Sequence, residues 1–279
     1  MKNNDIIDKK NEIDHKDEID NKNIIRLKPN IVSKNNNNYV KITQNQFRIL
    51  DALLYDGSYK RYIDTKKNLR YSEHSGLFEF RNNNLDRIVI SGKSTYEDLQ
   101  DKSILLPNNI YKNIENELIF HTHPPTPYPG ARSIGGILYE FPSVSDLNHF
   151  IFYYNKYYIS GSMIIAPEGV YIIYMKKYID YVNYIDKPTY KKLEAFHYKI
   201  NDKAIKKYGI DFTNHRKEIF FNEVIDDKRY IKLYNNSIKK YIHPQIHVLY
   251  KPRVYDRSIN SWIIKTLYFK LNNFEQIII

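Results

Sequence analysis

The sequence predicts a mixed α/β (α+β) domain, on three observations: short apolar runs that pair as hairpins, helical apolar spacing before and after them, and turn-forming residues at the junctions. At 279 residues the chain is long enough to bury a sizeable core.

Residues 1–42 alternate Lys, Asp, Glu and Asn with isolated Ile and read as a disordered, charged arm, because so little apolar surface cannot offset the entropy of ordering. A domain over 43–186 follows. Thr43 caps a helix over Gln44 to Leu54, where Phe47, Leu50 and Leu54, flanked by Ile49 and Leu53, form an apolar stripe; Asp56-Gly57 is expected to end it. Gly76 to Phe80 and Leu85 to Ser91 are strand-like and separated by Arg81-Asn82-Asn83-Asn84, which predicts a hairpin. Glu117 to His123 reads as a strand stopped by Pro124-Pro125. The Pro- and Gly-rich stretch to Pro142 is expected to be an irregular surface loop. Ser143 opens a helix to about Tyr154, and Gly161 to Ala166 and Gly169 to Met175 form a second hairpin through Pro167-Glu168. Residues 187–279 read as a C-terminal extension with no assigned role, helical from Thr189 to Tyr208.

Composition removes several function classes. The chain has no cysteine, which excludes thiolate zinc fingers, disulfide frameworks and cysteine nucleophiles. The formal charge of +11 is spread along the chain and interleaved with acids, so nucleic-acid binding is not the expected main function. Heavy use of Asn, Ile, Lys and Tyr matches an AT-rich, viral-like coding composition, which raises Lys without a functional cause. No apolar run is long enough to cross a bilayer and the N-terminus lacks a leader pattern, so an intracellular protein, cytoplasmic or nuclear, is expected.

The chemistry centres on His121-Thr122-His123-Pro124. On a strand, residues i and i+2 share a face, so both imidazoles can aim at one point while Thr122 faces away. Ser143-Val144-Ser145-Asp146 has the form of a helix-capping arrangement, and a carboxylate in that first turn can also complete a three-ligand metal site with an open position for water. Glu73, before the first hairpin, is the candidate base.

Glu73-His74-Ser75-Gly76, His121-Thr122-His123-Pro124 and Ser143-Val144-Ser145-Asp146 together resemble, in order, the E-x-x-G, H-x-H-P and S-x-x-D segments of the JAMM metalloproteases, also called the MPN+ or JAB1/MPN/Mov34 family. The resemblance covers roughly Thr43 to Met175 and implies a curved mixed sheet flanked by helices. It further implies one catalytic Zn2+ held by His121, His123 and Asp146, Glu73 as general acid/base, and Ser143 as the hydrogen-bond donor to the tetrahedral intermediate. The His-Thr-His-Pro form resembles the deubiquitinase branch, which implies ubiquitin or polyubiquitin as partner and a lysine isopeptide as the scissile bond. The alternative within the family is a non-catalytic MPN scaffold. Two departures stand out: eighteen residues separate Pro124 from Ser143, and Phe80 stands where many members have a second glycine, which makes Glu79 the fallback for the base. A deaminase site is disfavoured because its His-x-Glu and Cys-x-x-Cys are absent. Among the other histidines, His149 reads as a surface residue, His243 and His247 as structural, and His74 has no assigned role.

Overall fold

A computed structural model of the chain describes residues 39–59, 61–63, 67, 69–91, 118–124, 136–210 and 217–270. The expected arm up to residue 38 and the insertion over 125–135 lie outside the described residues. The arm was expected to reach residue 42, but Tyr39–Ile42 is strand β1, because alternate Val40 and Ile42 bury their side chains in a sheet.

Helix α1 (Gln44–Tyr59) turns Phe47, Leu50 and Leu54 inward, as their spacing requires, and Thr43 accepts from the Gln46 amide at its start. It runs past the expected stop at Asp56-Gly57. Gly57 is there for contact and not for termination: a Cβ on it would lie 2.1 Å from the Ser72 carbonyl oxygen, so glycine allows α1 to press against the segment that carries Glu73. Between them, β2 (Arg61–Ile63) and β3 (Leu69–Tyr71) make a small antiparallel pair.

Strands β4 (Ser75–Arg81) and β5 (Asn84–Ile90) form the first expected hairpin. Its turn residues Asn82 and Asn83 both have positive φ, the geometry that matches strand twist in tight hairpins and that asparagine tolerates. Strand β6 (Leu118–Thr122) runs antiparallel to β4, and helix α2 (Val144–Tyr157) carries the chain over to β7 (Gly161–Ile165), which is parallel to β6. That crossover sets the N-terminus of α2 above the C-terminal end of β6, where ligands gather in such units. Strand β8 (Gly169–Met175) completes the second expected hairpin.

The segment from 187 is not a separate extension. Helix α3 (Lys187–Tyr208) is capped by Asp186, which accepts from the Thr189 amide; a short helical piece, α4 (Lys217–Ile219), leads through a π-helical turn to α5 (Lys228–Tyr241). Strand β9 (Ile246–Pro252) then pairs with β8 along seven residues, and β12 (Leu267–Lys270) pairs with β1, after a small β10 (Val254–Asp256) and β11 (Ser261–Ile263) ladder. The sheet order is β12-β1-β5-β4-β6-β7-β8-β9, so C-terminal residues close both edges of a curled, mixed eight-stranded sheet among the described residues. The expected boundary at 186 therefore cuts through one sheet, because weakly periodic, tyrosine-rich sequence concealed its last strands.

Core residues divide by strand alternation. Phe78, Leu118, Phe120, Met163 and Ile172 face α1, whereas Leu77, Ile119, Ile164 and Ile173 face the side of α2, α3 and α5. Arg253 joins the two ends of the fold through a bidentate ion pair with Asp51 on α1, at 2.6 and 2.9 Å. No described helix is long and apolar enough to cross a membrane.

Candidate metal centre

His121 lies on β6 two places beyond Ile119, so strand alternation turns it toward α2, while Thr122 points the other way. His123 follows where the ladder ends; its amide still donates to Ile165 at 2.8 Å, which holds the backbone in strand register. Asp146 is the third residue of α2 and reaches the same point from above. All three residues are buried.

The two imidazole Nε2 atoms are 3.1 Å apart, and each lies 3.3 Å from an Asp146 oxygen. The two 3.3 Å separations end on different oxygens, His121 on Oδ1 and His123 on Oδ2, so the carboxylate turns one oxygen toward each ring and the three side chains converge on one point. The donor set, two imidazoles and a carboxylate, also suits zinc. Among the described residues this is the one group of three or more such side chains able to hold a metal ion.

Asp146 also serves the helix. Its Oδ2 accepts from the Ser143 amide at 2.5 Å, and the Ser143 hydroxyl oxygen accepts from the Asp146 amide at 3.1 Å, a reciprocal capping box. Cap and candidate ligand are thus one side chain, already oriented by the helix start. The helix N-terminus further favours its negative form.

The electrostatics suit a cation. Burial opposes charge on His123, but the hydrogen bond and charge of Asp146, then Glu73 and Glu140, outweigh it and bring the ring up to about 9. Burial also disfavours the Asp146 carboxylate, and His121 and His123 more than offset it, holding the group well below its usual range. A metal ion would replace protons that this pocket already attracts.

Glu73 lies close enough to the group for its charge to act on His123. The β4–β6 register pairs Ser75 with His121, and the Thr122 amide donates to the His74 carbonyl at 2.9 Å, which brings the segment carrying Glu73 alongside the end of β6. His74, unassigned from sequence, clamps this segment: its amide donates to Thr122 Oγ1 at 3.0 Å and its ring lies 2.8 Å from Asp56 on α1. Glu79, the fallback base, is paired with Arg87 across the β4–β5 ladder and forms an ion pair with it. A register shift between Glu79 and Phe80 marks where that hairpin departs from a regular ladder.

Several supporting residues escaped the sequence reading. The Glu140 carbonyl takes a hydrogen bond from His123 Nδ1 at 3.2 Å. Asn201 of α3 accepts from the Leu138 and Tyr139 amides, and the Tyr234 hydroxyl of α5 donates to the Pro142 carbonyl at 2.5 Å. The C-terminal helices thus hold the segment that leads into Ser143. Of the other histidines, His247 stands edge-on to Tyr174 and burial pulls it down to about 4; His243 Nδ1 accepts from the Gln245 amide, a local turn contact.

Fold and site together define an α+β protein with a buried His-His-Asp group able to hold a metal ion. The chain is 35% identical over 243 residues to an uncharacterized protein of Acanthamoeba polyphaga mimivirus, a match that covers 83% of this chain and 65% of that relative. The chain therefore spans a little under two thirds of the curated relative's length. No family model matches, and no solved structure matches.

Proposed function

We propose that the chain is a JAMM-type metallopeptidase that hydrolyses lysine isopeptide bonds of ubiquitin or a ubiquitin-like modifier. The observation that supports this reading is the buried convergence of His121, His123 and Asp146, with Glu73 close enough for its charge to act on His123. His121, His123 and Asp146 would hold zinc, which when bound polarises a carbonyl and makes water acidic enough to attack it near neutral pH.

The chain's own residues account for the protons. Glu73 takes one from water as its oxygen bonds to the carbonyl carbon, and returns it to the lysine nitrogen as the carbon–nitrogen bond breaks, leaving a carboxylate and an amine. Ser143 uses an oxygen lone pair for the helix cap, so its hydroxyl proton remains to donate to the developing oxyanion, and the residue is exposed. A ubiquitin substrate implies an intracellular place of action.

A panel of di-ubiquitin linkages incubated with the zinc-loaded chain tests this. Cleavage of at least one linkage, abolished in Glu73→Gln while zinc stays bound, supports the reading. Absence of cleavage across the panel by the fully loaded chain favours a scaffold instead.

A further inference from the structure

Glu168 is a fully buried carboxylate in the tight turn between β7 and β8, and no step of the proposed reaction uses it. A buried carboxylate is costly unless it is hydrogen-bonded, and here the bonds converge on one oxygen, Oε1, while buried Oε2 has no hydrogen-bond partner among the described residues. Its Oε1 accepts from the Glu140 amide at 2.6 Å and from the Tyr171 hydroxyl at 2.6 Å. The turn that carries it is itself clamped: the Arg253 amide donates to the Glu168 carbonyl at 3.0 Å, and Arg253 Nε to the Pro167 carbonyl at 2.9 Å.

Glu140 is the residue whose own carbonyl faces His123 Nδ1 at 3.2 Å. A carbonyl can only accept, so Nδ1 carries a proton whether or not the ring is charged, and Nε2, which faces His121 and Asp146, is the nitrogen left to give its lone pair to a metal. We propose that Glu168 is a positioning residue for the metal centre: by gripping residue 140 through its amide, it orients the carbonyl that sets the tautomer and ring angle of His123. The path runs from the clamped turn to Glu168, to Glu140, to the ligand, and Glu168 touches no ligand itself. Outer partners of ligating histidines commonly act this way, and their loss costs roughly 10- to 100-fold in metal affinity.

The role rests on the metal reading above, and the test separates the two. Zinc affinity is measured by chelator competition for the full chain and for Glu168→Gln, Glu168→Leu and the double variant Glu168→Leu/Tyr171→Phe, which leaves fewer unpaired groups if the single leucine variant fails to fold. Glu168→Leu, or the double variant, is expected to bind zinc roughly 10- to 100-fold more weakly and to lose the exchange-protected Nδ1–H proton of His123 in the zinc-loaded NMR spectrum. Glu168→Gln keeps an acceptor for the Glu140 amide and should restore both. Unchanged zinc affinity in the folded leucine variants overturns the positioning role and leaves the metal site standing. A wild-type chain that binds no zinc overturns the metal reading and this role with it.

Discussion

Glu73, two residues before β4, lies close enough to His123 for its charge to help raise that ring above its ordinary value. On the proposed reading, a carboxylate beside a candidate metal ligand serves proton transfer and is not itself needed to hold the ion. Glu73→Gln is therefore expected to keep zinc binding within about twofold while reducing kcat by roughly 10²- to 10⁴-fold. Steady-state cleavage with metal content measured in parallel checks this, and activity near wild type would remove Glu73 from the chemistry.

The three ligand side chains should fail alike. His121→Ala, His123→Ala and Asp146→Ala each remove one corner of the group and should weaken zinc by more than the roughly 10- to 100-fold typical of outer-shell changes. Calorimetric titration distinguishes them from bystanders. A variant that keeps wild-type affinity would place that residue outside the coordination sphere.

Ser143 has two separable jobs. Ser143→Ala removes both the helix cap and the hydroxyl, and should cost about 1 kcal/mol of stability together with roughly 10²- to 10³-fold in kcat. Ser143→Gly, which is nearly as good at a cap position, should restore most of the stability and none of the activity. Recovery of both would assign Ser143 to the cap alone.

Glu168 gives the fold a pH signature. Burial, with Glu140 nearby, pushes this carboxyl up to about 7 from an ordinary value of 4.5. Across that window the folded chain keeps a proton that the unfolded chain has released, so stability falls as pH rises, by at most about 1.4 kcal/mol per pH unit, and levels off above it. Glu168→Gln has no such proton, so its stability relative to wild type should rise from pH 4.5 to 7. Urea unfolding of both proteins measures the difference; one that is flat across the window contradicts the shift.

Much of this was legible because local chemistry decided it. Asn82-Asn83 announced a tight turn, Ser143 with Asp146 a helix start, and His121-x-His123 a shared strand face, and each depends on neighbours within a few residues. The overrun of α1 was hidden because Gly57 answers to the Ser72 backbone fifteen positions away. The anchoring of residues 138–142 by Asn201 and Tyr234 was hidden for the same reason: no spacing rule links a loop to helices some sixty to ninety residues later. Glu168 did leave a trace, an acid between apolar strands, but a hairpin turn is the place where an acid attracts least notice.

The central claim is that His121, His123 and Asp146 hold one catalytic ion. Elemental analysis of the full chain, purified without chelator, tests it most directly. About one equivalent of zinc per chain, lost in His121→Ala, is the predicted result; a wild-type chain that carries no metal and takes up none from added zinc would contradict it.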